Sequence, residues 1–373
     1  HGFSLDFARD QPATIRGVTK GVSKELSKLN IILILILVLQ AIVNLIGAIG
    51  PELGFDALWY HLTLPKLYLE NHSVFYIPGG LLYYSLMPKL TEMLYAGALA
   101  LNGEILAKLT HFAFGLLSAV ALYKLSRNFF TAKTSLLAVV VFYSNLVVTW
   151  QSITAYVDLT RTFFEIMAFW GFVKFVVNKD TPYRRSILAR KVWLIISAIM
   201  LGLAISTKLL ALGSLFIFLV LIGIFSFTSE ESKSLLFHHP RWLSRLKRLS
   251  TNTLVYSCIC LLIPLPWFVF SFVNTGNPVY PFFTEIYKVG FNIDLLSPFR
   301  FVRDVWEMFT GLSDPISPIY IIFLPLVIIL FRKFKFEVIL ITIYSLLAII
   351  VWYFTPRTGG GRFILPYLPV WAI

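Results

Sequence analysis

Charge and cysteine are both scarce in this sequence. Charged residues make up 14% of its 373 positions, against roughly 25% in a soluble domain. Only two cysteines are present, Cys258 and Cys260. They stand two apart in one apolar run and point to different faces of a helix, which argues against an intramolecular disulfide. The signatures of nucleotide, serine-hydrolase and zinc-protease chemistry are missing: there is no Walker loop, GxGxxG, GxSxG or HExxH. His238-His239 has no further His or Cys at ligand spacing, so no metal site is indicated, although a divalent ion stays open. No repeat or low-complexity stretch is detectable. Apolar residues, by contrast, reach 58%, and mean hydropathy is +0.79. No single globular core hides that excess. A water-soluble enzyme, a disordered chain and a secreted disulfide scaffold are therefore excluded. An all-α polytopic membrane protein of one integral domain and about ten spans remains.

The apolar runs predict spans at Ile31–Ile49, Ile105–Leu125, Thr134–Thr149, Leu159–Val177, Val192–Thr207, Leu209–Phe227, Leu254–Val273, Ile316–Phe331 and Val338–Phe354, with a tenth starting at Phe363. The stretch from Val192 to Phe227 is too long for one helix and is split at Lys208. The tenth run stops at Ile373, short of the ~20 residues that a span needs, so the domain 31–373 is expected to continue past it. The first 30 residues read as a cytoplasmic segment. Their charge is spread and they lack a cleavage site, so they are not a signal peptide.

Charge tests this topology. With the N-terminus inside, 22 of the 32 Lys and Arg fall in the five inner segments, which carry a net +15, and the rest of the chain carries −2. That is the positive-inside pattern, and it supports the split at Lys208. The overall +13 thus reports orientation and lipid contact rather than a nucleic-acid partner. Arg241–Arg248 reads as an interfacial helix facing anionic lipid.

Two outer loops are long, 50–104 and 274–315, and their mix of Trp, Tyr, Phe and Pro suits interfacial helices. Asp56-Ala-Leu-Trp-Tyr-His-Leu in the first reads as the start of one. Asp56 and Tyr60 share its face, whereas His61 points elsewhere. Asp56 is either a helix cap or a reactive carboxylate. Tyr60, His61 and Lys66 are candidate substrate-binding residues on the same segment. Asp158 opens a span, and it shares a face with Glu165, with Arg161 close by. Ionisable groups at membrane depth face the protein interior or a wet cavity, so the three form either a structural network or part of a site. A third group is basic and external: Lys208, Arg300, Arg303, Arg357 and Arg362. These residues either snorkel or bind phosphate. Asn71-His-Ser is a glycosylation sequon, relevant only in a eukaryotic source.

Several segments together resemble the C-type (GT-C) glycosyltransferases. They are Gly54-Phe-Asp-Ala-Leu-Trp-Tyr-His-Leu, Pro88-Lys-Leu-Thr-Glu-Met-Leu-Tyr, Ala155-Tyr-Val-Asp, Ser206-Thr-Lys208, Gly276-Asn-Pro-Val-Tyr-Pro281 and Arg362-Phe-Ile-Leu-Pro-Tyr-Leu-Pro369. The bacterial branch similar to protein O-mannosyltransferases and lipid A aminoarabinose transferases is the nearest. The resemblance implies many spanning helices, with interfacial helices in the first outer loop, around a cavity open to the outer face of a bacterial plasma membrane. It also implies transfer of a sugar, with inversion, from a polyprenyl-phosphate donor to a lipid, glycan or protein acceptor. By this resemblance Asp56 matches the family's general base, Asp158 the second carboxylate, and Lys208 and Arg362 basic positions near the lipid phosphate. Many relatives carry Asp-Glu in the first loop, but here Ala57 follows Asp56, so that second carboxylate is missing. The alternative from another class is a transporter or a lipid-linked-saccharide flippase. Inverted repeats and broken midplane helices would favour it, and neither is visible.

Overall fold

The structure is a computed structural model. It describes residues 28–177, 183–228, 241–286, 297–310, 316–322, 336–355 and 360–373. All regular structure among them is helical. Much of the first 30 residues, most of the expected span after Ile316, and Arg357 lie outside the described residues.

Helix α1 (Lys28–Ile49) is a nearly uniform apolar run with no acidic residue in its first turn and no basic residue in its last. After it, a π-helical turn (Ala57–His61) and α2 (Thr63–Glu70) replace the single helix expected from Asp56 onward. Helix α3 (Leu90–Ser126) is interrupted at Asn102 and Gly103, where Gly103 takes φ 75°, a conformation open to glycine. The expected span from Ile105 is its second part. The run Thr134–Thr149 is not one helix. It is α4 (Ala132–Tyr143) and α5 (Leu146–Ser152), bent by 68°, with the Asn145 side chain accepting from Val147 N–H at 3.2 Å to start α5.

Helix α6 (Asp158–Val177) runs through the centre, and most of its residues are buried. It packs most extensively on α7 (Tyr183–Thr207) and next on α3. Gly171 makes the first contact close: a Cβ there would meet the Ser197 backbone N at 3.0 Å. Ser197 Oγ in turn donates to Ala168 O at 2.7 Å and meets Tyr256 OH at 3.1 Å. Lys208 interrupts the chain before a 3-10 turn and α8 (Leu212–Thr228), as the split predicted. Next come α9 (Arg241–Leu262) and α10 (Leu265–Thr275), bent by 65° at Pro264. Helix α11 (Pro298–Thr310), α12 (Phe336–Phe354) and a closing pair of 3-10 turns with α13 (Leu368–Trp371) complete the described chain.

Four of these helices are long and apolar enough to cross a membrane, or up to six if each bent pair counts as one span. The chain is accordingly an integral membrane protein. The expectation of about ten spans exceeds what the described residues support. One reason is α6, whose Asp158, Arg161, Glu165 and Lys174 are too many charges for a plain apolar span. Another is α12, a shorter apolar helix.

Candidate functional site

The first loop is held against the segment before α6 by buried polar groups. Glu52 Oε1 accepts from Leu53 and Gly54 N–H at 2.9 and 2.7 Å, and its Oε2 accepts from Ala155 N–H at 2.6 Å. Gly54 has no room for a side chain, since a Cβ would lie 2.9 Å from both Glu52 Oε1 and Tyr156 Cε1. Lys108 Nζ gathers the end of α1 by donating to the carbonyls of Gly47, Gly50 and Pro51 at 3.1, 2.7 and 3.0 Å. His111 fixes the entry to α6. Its Nδ1 meets Thr154 O at 2.8 Å, and its Nε2 accepts from Leu159 N–H at 3.0 Å. These contacts set where Asp56 and Asp158 stand.

Asp56 is not a cap. It lies at the π-turn boundary in helical backbone geometry and its side chain makes no capping bond. Its N–H donates to Tyr156 OH at 3.2 Å, and its Oδ2 receives Arg362 at 2.6 Å. Tyr60 OH stands 3.5 Å from the same oxygen, at the edge of hydrogen bonding. Burial raises the Tyr60 phenol well above its ordinary pKa and Asp56 adds to this, so the phenol is a donor rather than a charge.

Asp158 is fully buried at the first turn of α6, and Lys208 Nζ donates to its Oδ1 at 2.6 Å. Burial pulls the Lys208 ammonium down to about 8, against the opposing field of Asp158. Arg362 and Lys208 flank one ring, Phe363, at 5.5 and 4.9 Å, and Arg362 also covers Tyr156 at 5.2 Å. Burial opposes the charge on Arg362, but Asp158 and Asp56 more than offset it and raise its pKa. Asp56, Asp158, Lys208 and Arg362, with Tyr60, thus form one cluster of two carboxylates and two cations. It is assembled from the first loop, the start of α6, the α7–α8 turn and the end of the chain.

Other expected residues are placed differently. His61 pairs through Nδ1 with Glu92 Oε1 at 2.7 Å, in agreement with its pointing away from Asp56. Lys66 is exposed and does not line the cavity beside the cluster. Arg300 and Arg303 are on α11 and pair with Asp304 at 3.7 and 3.1 Å. The Asp158–Arg161–Glu165 network divides: Arg161 turns to Glu165 at 2.8 Å, and Asp158 turns to Lys208. Glu52, Lys89, Glu92, His111 and Tyr156 were not singled out from the sequence. A signal did exist, since Lys89 and Glu92 stand inside the segment Pro88–Tyr95 and Tyr156 inside Ala155–Asp158. Among the described residues no three His, Cys, Asp or Glu side chains converge as metal ligands.

A cavity of about 50 Å³ adjoins the cluster, with Tyr60, Tyr84, Lys89, Glu92 and Lys208 in its wall. A scan of protein-family models and a search of curated proteins find no match. Solved structures do match. ArnT from Cupriavidus metallidurans bound to undecaprenyl phosphate aligns with a TM-score of 0.64 at 15% identity, over 91% of this chain and 59% of that one. Its apo form gives 0.61 at 17% identity, over 91% and 57%. The archaeal oligosaccharyltransferase AglB from Archaeoglobus fulgidus, in complex with an inhibitory peptide and a dolichol-phosphate, gives 0.54 at 13% identity, over 91% and 49%. The fold is that of the GT-C glycosyltransferases. At these identities the likeness concerns fold, and this chain spans less than two thirds of the length of each of these neighbours. Within a GT-C fold, the charged cluster lies at helix ends: Asp158 opens α6 and Lys208 follows α7.

Proposed function

We propose that the protein transfers a sugar from a polyprenyl-phosphate donor to an acceptor hydroxyl at the outer membrane surface, with Asp56 as general base. The observation that carries this reading is the Asp56 carboxylate. It caps no helix and instead faces Arg362 at 2.6 Å, beside the Asp158–Lys208 pair and a cavity. The neighbours bound to undecaprenyl phosphate and to a dolichol-phosphate support a lipid-phosphate donor.

The chemistry follows from the charges. The donor phosphate brings a negative charge into a cluster that is balanced without it, and so it competes with Asp56 for Arg362 and with Asp158 for Lys208. A carboxylate released in this way is free to accept the acceptor proton. The acceptor oxygen attacks the anomeric carbon from the side opposite the phosphate, which inverts that centre. The bond from the carbon to the phosphate oxygen breaks and its electron pair stays on the phosphate. Fixed cations stabilise that growing charge, and base catalysis assists the attack. Asp158 keeps Lys208 in place, and Tyr60 donates toward Asp56. The polyprenyl tail remains in the bilayer, which accounts for a site at a membrane surface. A transporter builds its site at the ends of broken helices near the midplane. Here the two bent pairs, α4–α5 and α9–α10, contribute none of Asp56, Asp158, Lys208 and Arg362, and Lys208 stands between two helices of spanning length, which favours the enzyme.

The decisive test is to incubate membranes containing the protein with a panel of polyprenyl-phosphate sugars and look for release of polyprenyl phosphate coupled to glycosylation. No transfer from any donor would refute the reading. Reporters fused at Pro78 and Arg245 test its orientation and are expected to read external and cytoplasmic.

A further inference from the structure

Glu92 stands in the first turn of α3 with a side chain only 7% exposed. One oxygen is taken by His61 at 2.7 Å. The other, Oε2, is buried and has no hydrogen-bond partner among the described residues, and the residue lines the cavity beside the cluster. A buried carboxylate oxygen left without a donor is costly. Lys89 lines the same cavity. Its ammonium donates to Ser85 O at 2.7 Å and lies over the Trp267 and Phe270 rings at 4.8 and 4.9 Å. A lysine carries three donor hydrogens and no acceptor. The cavity wall therefore carries both an acceptor and a cationic donor. Its wall also includes Tyr84, which stacks flat on Tyr60 at 3.7 Å.

These features select the occupant. A phosphate or carboxylate is drawn by the lysines but only accepts, so it leaves Glu92 Oε2 without a donor. An ammonium only donates and is repelled by Lys89 and Lys208. A hydroxyl both donates and accepts at one atom. An aromatic face beside polar groups also suits the C–H surface next to a sugar hydroxyl. A volume of about 50 Å³ exceeds the roughly 10–15 Å³ that one water needs, and it holds a hydroxyl or hydroxymethyl arm but not a whole ring.

We propose that this cavity is a specificity subsite that reads one hydroxyl of the donor sugar, which donates to Glu92 Oε2 and accepts from Lys89 Nζ. The proposal rests on the lipid-linked transfer reading above. His61 acts as a positioning residue that holds the carboxylate.

The test is equilibrium binding to the purified chain in lipid nanodiscs. The probes are bare undecaprenyl phosphate, its glucose, mannose and galactose conjugates, and their monodeoxy analogues. In the unaltered protein one deoxy analogue should bind about tenfold to a hundredfold more weakly than its parent, the range of a hydrogen bond to a charged group. Glu92→Gln should erase that difference and leave the affinity for bare undecaprenyl phosphate unchanged, which also reports correct folding. Lys89→Met should do the same, and it serves if the first variant does not accumulate. The subsite is overturned if no single hydroxyl matters in the unaltered protein. It is also overturned if the variants weaken parent and deoxy conjugates equally, or if they weaken the bare carrier. Failure of bare undecaprenyl phosphate to bind at all would instead strike the lipid-phosphate reading itself, and the subsite with it.

Discussion

Asp158 and Glu165 lie two turns apart on one face of α6, and their surroundings differ in kind. Glu165 is enclosed. Its Oε1 receives Arg161 Nε at 2.8 Å and Ser214 at 2.8 Å, while Tyr367 joins Arg161 at 3.1 Å and Ser214 at 2.9 Å. The side chains of Arg161 and Glu165 are 2% and 0% exposed. Asp158 faces outward through Lys208, which is 17% exposed, and its neighbouring pair Asp56–Arg362 is 13% and 16% exposed. Both are ion pairs at nearly the same separation. The inner one is shut off from solvent, although Glu165 Oε2 is buried without a partner among the described residues, and no ligand reaches it, so its charge serves the fold. The outer one borders a cavity, so a ligand can exchange for one member. Separation alone does not tell a structural pair from a reactive one, but access does.

The sharpest way to break this comparison is at Asp56. Asp56→Asn keeps size and removes basicity. Turnover should fall by about 10²–10⁴-fold, the usual share of general base catalysis, with donor binding largely retained. Assays at equal expression check it, and an active Asn variant removes the base assignment. Asp158→Asn should give a comparable loss, because it leaves Lys208 without its carboxylate. The inner pair should respond the other way. Arg161→Met strands the Glu165 charge and should cost stability by about 3–5 kcal/mol, read by thermal unfolding in detergent. Replacing both Arg161 and Glu165 with Met should restore most of it. If Arg161→Met leaves stability intact, the inner cluster is not the sealed structural unit described.

Lys208→Ala and Arg362→Ala probe the outer cations. Each should weaken donor binding by about tenfold to a hundredfold, the range for charge-assisted bonds to phosphate, and Lys208→Ala should also cost stability, because it leaves the buried Asp158 carboxylate without its cation. Unchanged donor affinity in both would return them to snorkelling.

The helices were legible because long apolar runs have few alternatives in a chain this poor in charge, and Lys208 marked its own turn. The bends were less so. Thr134–Thr149 reads as one run because Ser144 and Asn145 are too few polar residues to interrupt it, although Asn145 starts a new helix. Leu254–Val273 likewise reads as one span, although the structure bends it by 65° at Pro264, a residue that lacks the N–H a continuous helix needs. At the site, local spacing found Asp56, Asp158 and their shared-face partners. It did not find which cation meets which carboxylate, since Asp56 and Arg362 come from opposite ends of the chain. Nor did it find Glu52 or His111, whose roles are to satisfy backbone groups that only the folded loop brings near. Lys66 had the right chemistry on the right segment, but its position on α2 leaves it exposed.

The smallest effect separates the two lysines. Burial lowers Lys208 and Lys89 alike, each to about 8, well below the ordinary lysine range. The donor phosphate is a diester and stays ionised across this range, so any pH dependence near 8 comes from the protein. A lysine must be charged to hold that phosphate, and its charge is lost as pH rises through about 8. Donor affinity should therefore be flat at lower pH and decline above about 8, by at most about tenfold per pH unit for one proton. Lys208→Arg keeps the positive charge and does not titrate here, so it should lose the phosphate-linked part of the decline and keep only the part that Lys89 adds through the sugar hydroxyl. If the decline persists undiminished in Lys208→Arg and disappears in Lys89→Met, the phosphate contact belongs to Lys89, and the outer cluster loses the cation that distinguishes it from the inner one.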